Sequence, residues 1–413
     1  VDPQEDLSAV VRPRSLPLLT KTYTPRGEAH VWTTFSPDQV DLNWQHPDVL
    51  FEMLDVMFFY LSKGARILRL DAIAFLWKEP GTNCLHRPET HEVVKLLRDV
   101  LSVVAPDAIL LTETNVPHEE NISYFGRGDE AHMVYQFALP PLLLLCLLRG
   151  DSSLLRTWAA SLPALPDDCT YLNFTASHDG IGVRPLQDLA TEEDLVWLVE
   201  QVTRRGGKVS TRSTPDRGDV PYELNITYTS ALSEPGDPDL GDARFLCSQA
   251  LALSLQGMPA VYFNSLFGAL NNPQVAEDHK RGINREKWDL ADLNARLTDA
   301  SGRESIVFES YLAMLRRRAN HPAFHPDGPQ QVLDLGTELF GIVRRSCDGH
   351  DCVLCIFNFT ATDQLLPAST LVEAIGMKVS PGDFVRDVLS GLQLEVGVQG
   401  VTLSPYQAVW IKK

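Results

Sequence analysis

Short apolar runs alternate with amphipathic segments through the middle of the chain. The segment 48–63 has a helical pattern of apolar residues and is followed by Gly64, a natural helix C-cap. The apolar runs predict strands over residues 65–72, 108–114, 132–139, 169–176 and 260–266. The segments between them predict helices over residues 89–103, 141–148, 154–160, 192–204 and 242–256. This alternation is typical of βα units around a parallel sheet, and we expect the first two strands to be buried on both faces.

From about residue 328 the pattern changes to short strands separated by turn residues, which predicts an all-β module after a last helix over 305–319. The segment 206–241 is rich in Gly, Pro, Asp and Ser, which predicts a long functional loop. A (β/α)8 barrel contains eight βα units in about 250 residues, and this chain contains fewer. The pattern thus predicts an α/β fold followed by a C-terminal all-β domain. If the α/β part is a (β/α)8 TIM barrel, it is incomplete at its N-terminal end by about three units.

Composition and charge narrow the classes of function. The 413 residues include 54 acidic and 36 basic residues, a net charge of −18, which argues against nucleic-acid and anionic-membrane partners. The chain has no apolar run long enough to span a membrane. Its seven cysteines are irregularly spaced and predict no disulfide framework, and Cys352 and Cys355 form a single C-x-x-C within a strand-like run, where a metal or redox role remains an alternative. A cytoplasmic protein fits these features.

Three predicted strands end close to an acidic residue. Arg69 and Asp71 are two residues apart, so on a strand their side chains point to one face. Glu113 ends the second strand, and the pair His178 and Asp179 follows the fourth. In a parallel barrel these ends open onto the face that carries active sites. Each acid alone could be a cap or a loop ligand, and His178 alone could be a structural histidine.

The joint pattern points to a reaction. An arginine beside a carboxylate favours the ionised form that a nucleophile needs. Retaining glycosidases use one carboxylate as nucleophile and a second carboxyl group as general acid/base around one bond. A third carboxylate can stabilise the positive charge that develops on the sugar. The combination of Arg69, Asp71, Glu113, His178 and Asp179 therefore predicts a retaining glycosidase type of site.

The motifs around these residues carry a family resemblance. Arg69-Leu-Asp-Ala, Thr112-Glu-Thr and Ser177-His-Asp-Gly resemble three signature regions of the α-amylase superfamily, glycoside hydrolase family 13. The segments that begin at Trp77, Leu111 and Asn173 are most similar to the glucosylglycerate phosphorylases within its sucrose-phosphorylase branch. Further segments are similar to the sucrose-phosphorylase branch as a whole, in matching order from about residue 41 to 322. They begin at Lys78 (Lys-Glu-Pro-Gly-Thr-Asn-Cys), Tyr135 (Tyr-Gln-Phe-Ala-Leu-Pro-Pro-Leu), Tyr222 (Tyr-Glu-Leu-Asn-Ile-Thr-Tyr) and Gly282 (Gly-Ile-Asn-Arg).

The resemblance implies a role for each residue. Asp71 would be the nucleophile that forms a β-glucosyl-enzyme, Glu113 the general acid/base and Asp179 the stabiliser of the transition state. Arg69 and His178 would hold the glucose and orient the acids. The further substrate-binding candidates are Phe75, Arg285, Tyr222 and Asn225. Phe75 would be an aromatic platform near the glucose, with ordinary packing as the alternative, and the cations Arg212 and Arg217 could bind phosphate or serve only solubility.

The resemblance also implies a domain organisation. The family's first signature region, an Asp followed by Asn-His, does not occur before Asp71. We therefore interpret residues 1–42 as the remnant of a loop excursion, domain B, that precedes the fourth barrel strand. Residues 43–325 would form the catalytic barrel from strands four to eight, and residues 328–413 the C-terminal β domain. The chain is then expected to lack about three βα units, and its activity in that form is in question.

The expected reaction is phosphorolysis of a small α-glucoside, glucosylglycerate or sucrose, to α-glucose 1-phosphate by double displacement. The resemblance implies no metal or organic cofactor, and inorganic phosphate as a co-substrate. The small-molecule glucoside and phosphate would be the partners of a monomer or homodimer. Two alternatives remain: an α-glucoside hydrolase or transglycosylase on the same scaffold, and a catalytically inactive amylase-like binding protein.

Overall fold

The computed structural model describes residues 1–13, 16–214, 218–234, 236–274 and 280–412. The chain forms two compact units. Unit 1 comprises residues 1–135, 165–169 and 210–223, and unit 2 comprises residues 136–164, 170–209 and 224–413. The predicted boundaries near residues 42 and 325 do not coincide with these units and stay predictions.

Unit 1 begins with an antiparallel hairpin and continues as alternating helices and strands. The hairpin strands are β1 (Leu19–Thr24) and β2 (Gly27–Trp32). The following elements are α1 (Pro47–Ser62), β3 (Ile67–Leu70), α2 (Pro88–Val104), β4 (Ile109–Thr112), α3 (His118–Ile122) and β5 (Met133–Tyr135). The predicted helices and strands of this region are confirmed, with ends that differ by a few residues. The first hairpin was not predicted.

The strands β3, β4 and β5 pair in parallel in this order. Strand β4 has a neighbour on each side, and Leu110 and Leu111 are buried. The expectation that β3 is buried on both faces is wrong, since Ile67 is exposed. The reason is that β3 is an edge strand in the described part of the sheet. Helix α1 is also apolar and largely exposed, with only Met57 buried.

Unit 2 continues the alternation of helices and strands. Its first elements are α4 (Leu139–Arg149), α5 (Ser153–Ser161), β6 (Thr170–Asn173), the short β7 (Ile181–Gly182) and α6 (Glu192–Arg204). Strands β8 (Lys208–Thr214) and β9 (Gly218–Asn225) contribute residues to both units. Then follow α7 (Tyr228–Leu232), α8 (Pro238–Ser254), β10 (Met258–Pro259), α9 (Leu290–Thr298) and α10 (Arg303–Ala319).

Two predictions in this region are wrong. The segment 206–241 is not a long loop, because β8, β9, α7 and the first turn of α8 occupy much of it. The last predicted strand, 260–266, is displaced: β10 ends at Pro259 and pairs in parallel with β6, whereas Phe263–Phe267 is a 3-10 turn. An apolar run of this length fits either conformation, and Gly268 with a φ of 58° ends the turn.

The C-terminal part is a set of antiparallel strands with one helix. Strands β11 (Gln330–Leu333), β12 (Leu339–Arg345), β13 (Cys352–Asn358) and β18 (Ala408–Lys412) pair in the order β11-β12-β13-β18. Beside them lie β14 (Gln364–Pro367), helix α11 (Ala368–Ile375), β15 (Phe384–Arg386), β16 (Gln393–Glu395) and β17 (Gly400–Leu403). The prediction of an all-β module is therefore wrong about α11, an eight-residue helix that Gly376 caps in the left-handed conformation.

One apolar cluster of unit 2 joins helices to strands of the C-terminal part. Helices α4, α7 and α8 are buried against each other and against β12, β13 and β18, so Phe340, Phe357 and Trp410 share a cluster with Leu142 and Phe245. This burial explains why α4 is apolar on every side. Strands β12, β13 and β18 thus share a hydrophobic core with the helices, whereas β14, α11 and β17 contribute Leu366, Leu371 and Leu403 to a separate apolar cluster.

Candidate active site

The first candidate acid lies directly after an edge strand. Asp71 follows β3, and 71% of its side chain is exposed. Arg69, two residues earlier, points to the same side and places Nη1 at 2.5 Å from Asp71 Oδ1. The two-residue spacing therefore brings the Arg69 guanidinium into contact with the accessible Asp71 carboxylate, as the sequence predicted.

The second candidate acid lies beside the first because of the strand register. Leu70 of β3 pairs with Thr112 of β4, so the residues that follow them, Asp71 and Glu113, leave the sheet at the same edge. Glu113 is only 14% exposed. Its Oε2 accepts a hydrogen bond of 2.9 Å from the amide of Ala72, and its Oε1 lies 3.8 Å from Arg69 Nη2. Arg69 thus contacts both candidate acids of unit 1, Asp71 and Glu113.

The charge of Arg69 is maintained by these acids. Burial lowers the pKa of Arg69, but Glu113 and Asp71 raise it more, and the net shift is upward. The ring of Tyr135, at the end of β5, lies 5.7 Å from the guanidinium carbon, a cation–π distance. Burial raises the pKa of Tyr135 although Arg69 opposes that shift. Tyr135 was not among the predicted site residues, although it begins one of the motifs of the family resemblance and lies within the predicted strand 132–139.

The third candidate acid lies in unit 2, six residues after β6. Asp179 is 27% exposed, and Arg281 Nη1 lies 2.5 Å from its Oδ1. His178 Nε2 and Arg285 Nη2 both lie 3.6 Å from the same oxygen. Arg285 also donates a hydrogen bond of 2.6 Å from Nε to the carbonyl of His178. Two guanidinium groups and an imidazole therefore surround one carboxylate.

The sequence predicted part of this group. His178, Asp179 and Arg285 lie together, as expected, whereas Arg281 was missed although it makes the shortest contact with Asp179. Arg281 lies four residues before Arg285, in the 3-10 turn Lys280–Asn284. Asn284, in the same turn, donates a hydrogen bond of 3.0 Å to the carbonyl of Asp179. Arg281 directly precedes the Gly-Ile-Asn-Arg motif, and nothing else in the local sequence connects it to Asp179.

The remaining predicted residues lie in different surroundings. Phe75 is in the 3-10 turn Ile73–Phe75 that follows Asp71, and its ring packs edge-on against Phe35 with 5.5 Å between the centroids. Tyr222 and Asn225 are buried on β9, and the Asn225 amide is within 3.4 Å of the Lys208 carbonyl. Their predicted roles in binding stay predictions. Of the two candidate phosphate-binding cations, Arg217 lies outside the described residues.

The described residues were also compared with the requirements of a metal site and of a membrane-spanning helix. In the part of the chain that the structure covers, no group of three or more His, Cys, Asp or Glu side chains is arranged to hold a metal ion. Cys352 and Cys355 are three residues apart on β13, which points them to opposite faces and argues against a shared ligand. None of the described helices combines the length and apolarity of a membrane span.

A family model and the sequences of curated relatives place the chain in the same family. Residues 22–144 match the model of the α-amylase catalytic domain. The chain is 46% identical over 416 residues to a glucosylglycerate phosphorylase of Spirochaeta thermophila, a match that covers 100% of this chain and 71% of the relative. It is 41% identical over 419 residues to the glucosylglycerate phosphorylase of Escherichia coli, which covers 100% of this chain and 72% of that protein.

Solved structures agree on the fold. The structure of a sucrose 6F-phosphate phosphorylase from Thermoanaerobacter thermosaccharolyticum aligns with a TM-score of 0.73 at 23% identity, over 86% of this chain and 68% of that chain. An α-amylase from H. orenii aligns with a TM-score of 0.59 at 12% identity, over 98% and 74% of the two chains. These structures support an α-amylase-like architecture, a TIM barrel with C-terminal sheets.

Proposed function

Because the chain belongs to the family of the glucosylglycerate phosphorylases, within the sucrose-phosphorylase branch of the α-amylase superfamily, we propose that it cleaves a small α-glucoside with inorganic phosphate. The products are α-glucose 1-phosphate and the free acceptor, for which glycerate is the first candidate and fructose the second. The observation that carries the proposal is the identity of 41–46% over the whole chain to phosphorylases of glucosylglycerate.

The first half of the reaction belongs to Asp71 and Glu113. Asp71 attacks the anomeric carbon of the glucosyl group, and its high exposure fits a nucleophile that must reach substrate. Glu113, protonated, gives its proton to the glycosidic oxygen, so the acceptor leaves as an alcohol and a β-glucosyl ester forms on Asp71. Arg69 supports this step because its guanidinium contacts both carboxylates.

The second half returns the enzyme to its starting state. A phosphate oxygen attacks the anomeric carbon, Glu113 accepts the phosphate's proton, and the bond between glucose and Asp71 breaks. Two inversions give net retention, so the product is the α-anomer. The carboxyl groups and the phosphate supply all the chemistry, and the mechanism needs no metal or organic cofactor.

Asp179 stabilises the positive charge that develops on the sugar ring in both steps. Its carboxylate must then stay ionised and fixed in direction. The contacts of its Oδ1 with Arg281, Arg285 and His178 serve this requirement. Phe75, Tyr222 and Asn225 complete the proposed set of substrate-binding residues.

The test is a product analysis on the purified protein. Glucosylglycerate or sucrose is supplied with phosphate, and free glucose and α-glucose 1-phosphate are quantified separately. The proposal predicts glucose 1-phosphate as the main product and a rate that depends on phosphate. Free glucose as the main product identifies a hydrolase instead, and no product from either glucoside contradicts the proposal. Asp71→Asn is the control that removes the nucleophile and should eliminate both products.

A further inference from the structure

We propose that Lys78 is a positioning residue, which ties Asp41 to the backbone of Phe75 and so fixes the segment 71–78 beside the reacting sugar. The inference rests on the proposed function, because it assigns Asp71 and Phe75 to the substrate. All of the contacts involved lie within unit 1.

The segment begins in an unusual backbone conformation. Ala72 has a φ of 47°, in the left-handed region that residues with a Cβ rarely adopt. The amide of Ala72 donates to Glu113 Oε2, and its carbonyl accepts from the amide of Phe75 at 3.0 Å. Such conformations persist only where the surrounding structure holds them, and they are frequent at active sites. The start of the segment is therefore held by the proposed acid/base itself.

The end of the segment is held by Lys78. Its ammonium group donates to the carbonyl oxygen of Phe75 and lies 2.7 Å from Asp41 Oδ2. The side chains of Lys78 and Asp41 are only 13% and 14% exposed. Because a charge with so little access to water needs a partner, this ion pair strongly restricts the positions of the chain around Lys78 and around Asp41. The ring of Trp32, 5.9 Å from Nζ, adds a cation–π contact.

Asp41 is itself fixed, so it can act as an anchor. Its Oδ1 accepts from the amide of Thr34 at 3.0 Å, and its Oδ2 accepts from the hydroxyl of Thr34 at 2.6 Å. The amide of Asp41 donates to the carbonyl of Trp32 at 2.9 Å. The same stretch provides Phe35, whose ring packs edge-on against Phe75. The stretch 32–41 thus holds Phe75 by its backbone, through Lys78, and by its ring.

This arrangement gives Lys78 a function that ordinary packing would not have. Lys78 is distant in sequence from Asp41 and three residues after Phe75. Its ammonium group contacts both the Asp41 carboxylate and the Phe75 carbonyl. Without the contact between Lys78 and Asp41, the segment 71–78 should relax and Ala72 should leave its left-handed conformation. Phe75 would then lose its orientation, although the fold of unit 1 would remain.

Four variants and a control separate positioning from stability. Lys78→Met removes the charge and keeps an apolar stem, Lys78→Arg keeps the charge, and Asp41→Asn removes the anchor. The double variant Lys78→Met/Asp41→Asn removes the charge that either single change leaves buried. The control Lys95→Met breaks the exposed pair of Lys95 with Glu92, 2.8 Å apart on α2.

For each variant, kcat and KM are measured with glucosylglycerate and phosphate, together with the melting temperature and the hydrogen exchange of amides in residues 71–78. We expect Lys78→Met to lower kcat at least tenfold with a smaller change in KM, and Lys78→Arg to recover part of it. The double variant should melt closer to the wild type than Lys78→Met does, yet stay as slow. Amides of residues 71–78 should exchange faster in both, and Lys95→Met should behave as the wild type.

The contrary results are distinct. If kcat follows the melting temperature through the series, so that the double variant recovers both, Lys78 is only structural and the inference is wrong. If the amide hydrogen exchange of residues 71–78 is the same in Lys78→Met as in the wild type, Lys78 does not hold this segment, whatever the catalytic rate. A wild type without phosphorolysis contradicts the proposed function and leaves the exchange result to decide on the tie.

Discussion

The replacement of Arg69 by methionine tests the electrostatics of the candidate site most sharply. Its guanidinium lies 2.5 Å from Asp71 Oδ1 and 3.8 Å from Glu113 Oε1. Methionine keeps much of the side-chain volume and removes the charge. The two acids then lose the cation that both contact. The loss matters most in the second half of the reaction, where Glu113 is the carboxylate that accepts the phosphate's proton.

The expected loss follows from the surroundings of each acid. At 3.8 Å a pair of unit charges has a Coulomb energy of about 4 kcal/mol at an effective dielectric constant of about 20. Desolvation offsets about half of this energy, which leaves about 2 kcal/mol for the contact with Glu113. Water screens the contact with the exposed Asp71, which contributes about 1 kcal/mol or less. A total of about 3 kcal/mol corresponds to roughly a hundredfold decrease in kcat.

The assay is the initial rate of glucose 1-phosphate formation by Arg69→Met, with the thermal melt as a check of folding. Arg66→Met is the matched control, because Arg66 precedes the same strand and its contact with Asp107 is exposed at 3.7 Å. We expect the control to keep the wild-type rate. Arg69→Lys should be intermediate, because a single ammonium group replaces a fork that reaches two acids. A folded Arg69→Met variant with a kcat within threefold of the wild type would refute the reasoning.

Three further predictions concern other parts of the chain. Arg281→Met should lower kcat by roughly tenfold or more, since Asp179 loses its shortest cationic contact, whereas Arg281→Lys should retain more activity; equal rates in all three proteins would contradict this role. Burial, and to a smaller extent the charge of Arg98, lowers the pKa of His132 to about 4. Between pH 6.5 and pH 4 unfolding therefore lets His132 take up as much as one proton, and the free energy of unfolding decreases as the pH falls. Denaturation at several pH values should show a weaker pH dependence of this free energy in His132→Gln, and an unchanged dependence would contradict the prediction. Arg344→Met should destabilise the protein by about 3 kcal/mol in urea unfolding, because its buried guanidinium donates to the carbonyls of Ser254, His325 and Gly328, which the change leaves without a donor. A loss below about 1 kcal/mol would show that these carbonyls find other donors.

The sequence was most informative where local patterns and burial agree. Helix α6 has the predicted bounds because Thr191 and Asp194 form a capping box at its start and the apolar stripe continues to Arg204. Strand β4 was predicted because a run of Ile and Leu fits a strand with neighbours on both sides. The contact between Arg69 and Asp71 followed from the two-residue period of a strand.

The failures have physical causes as well. Helix α11 lies among strands, and its eight residues are too few for a helical period to be distinct. Strands β8 and β9 lie in a stretch whose Gly, Pro, Asp and Ser content resembles a loop. The contacts of Arg281 with Asp179 and of Lys78 with Asp41 join residues that are far apart in the chain, so no local pattern could predict them.

The central claim is that Asp71 carries the glucosyl group between the two halves of the reaction. The most direct measurement is to trap that intermediate with a 5-fluoroglucosyl fluoride and to locate the label by peptide mass spectrometry. The account predicts a fluoroglucosyl ester on Asp71, absent in Asp71→Asn and released when phosphate is added. A label on another residue, or turnover of glucosylglycerate by Asp71→Asn at the wild-type rate, would contradict it.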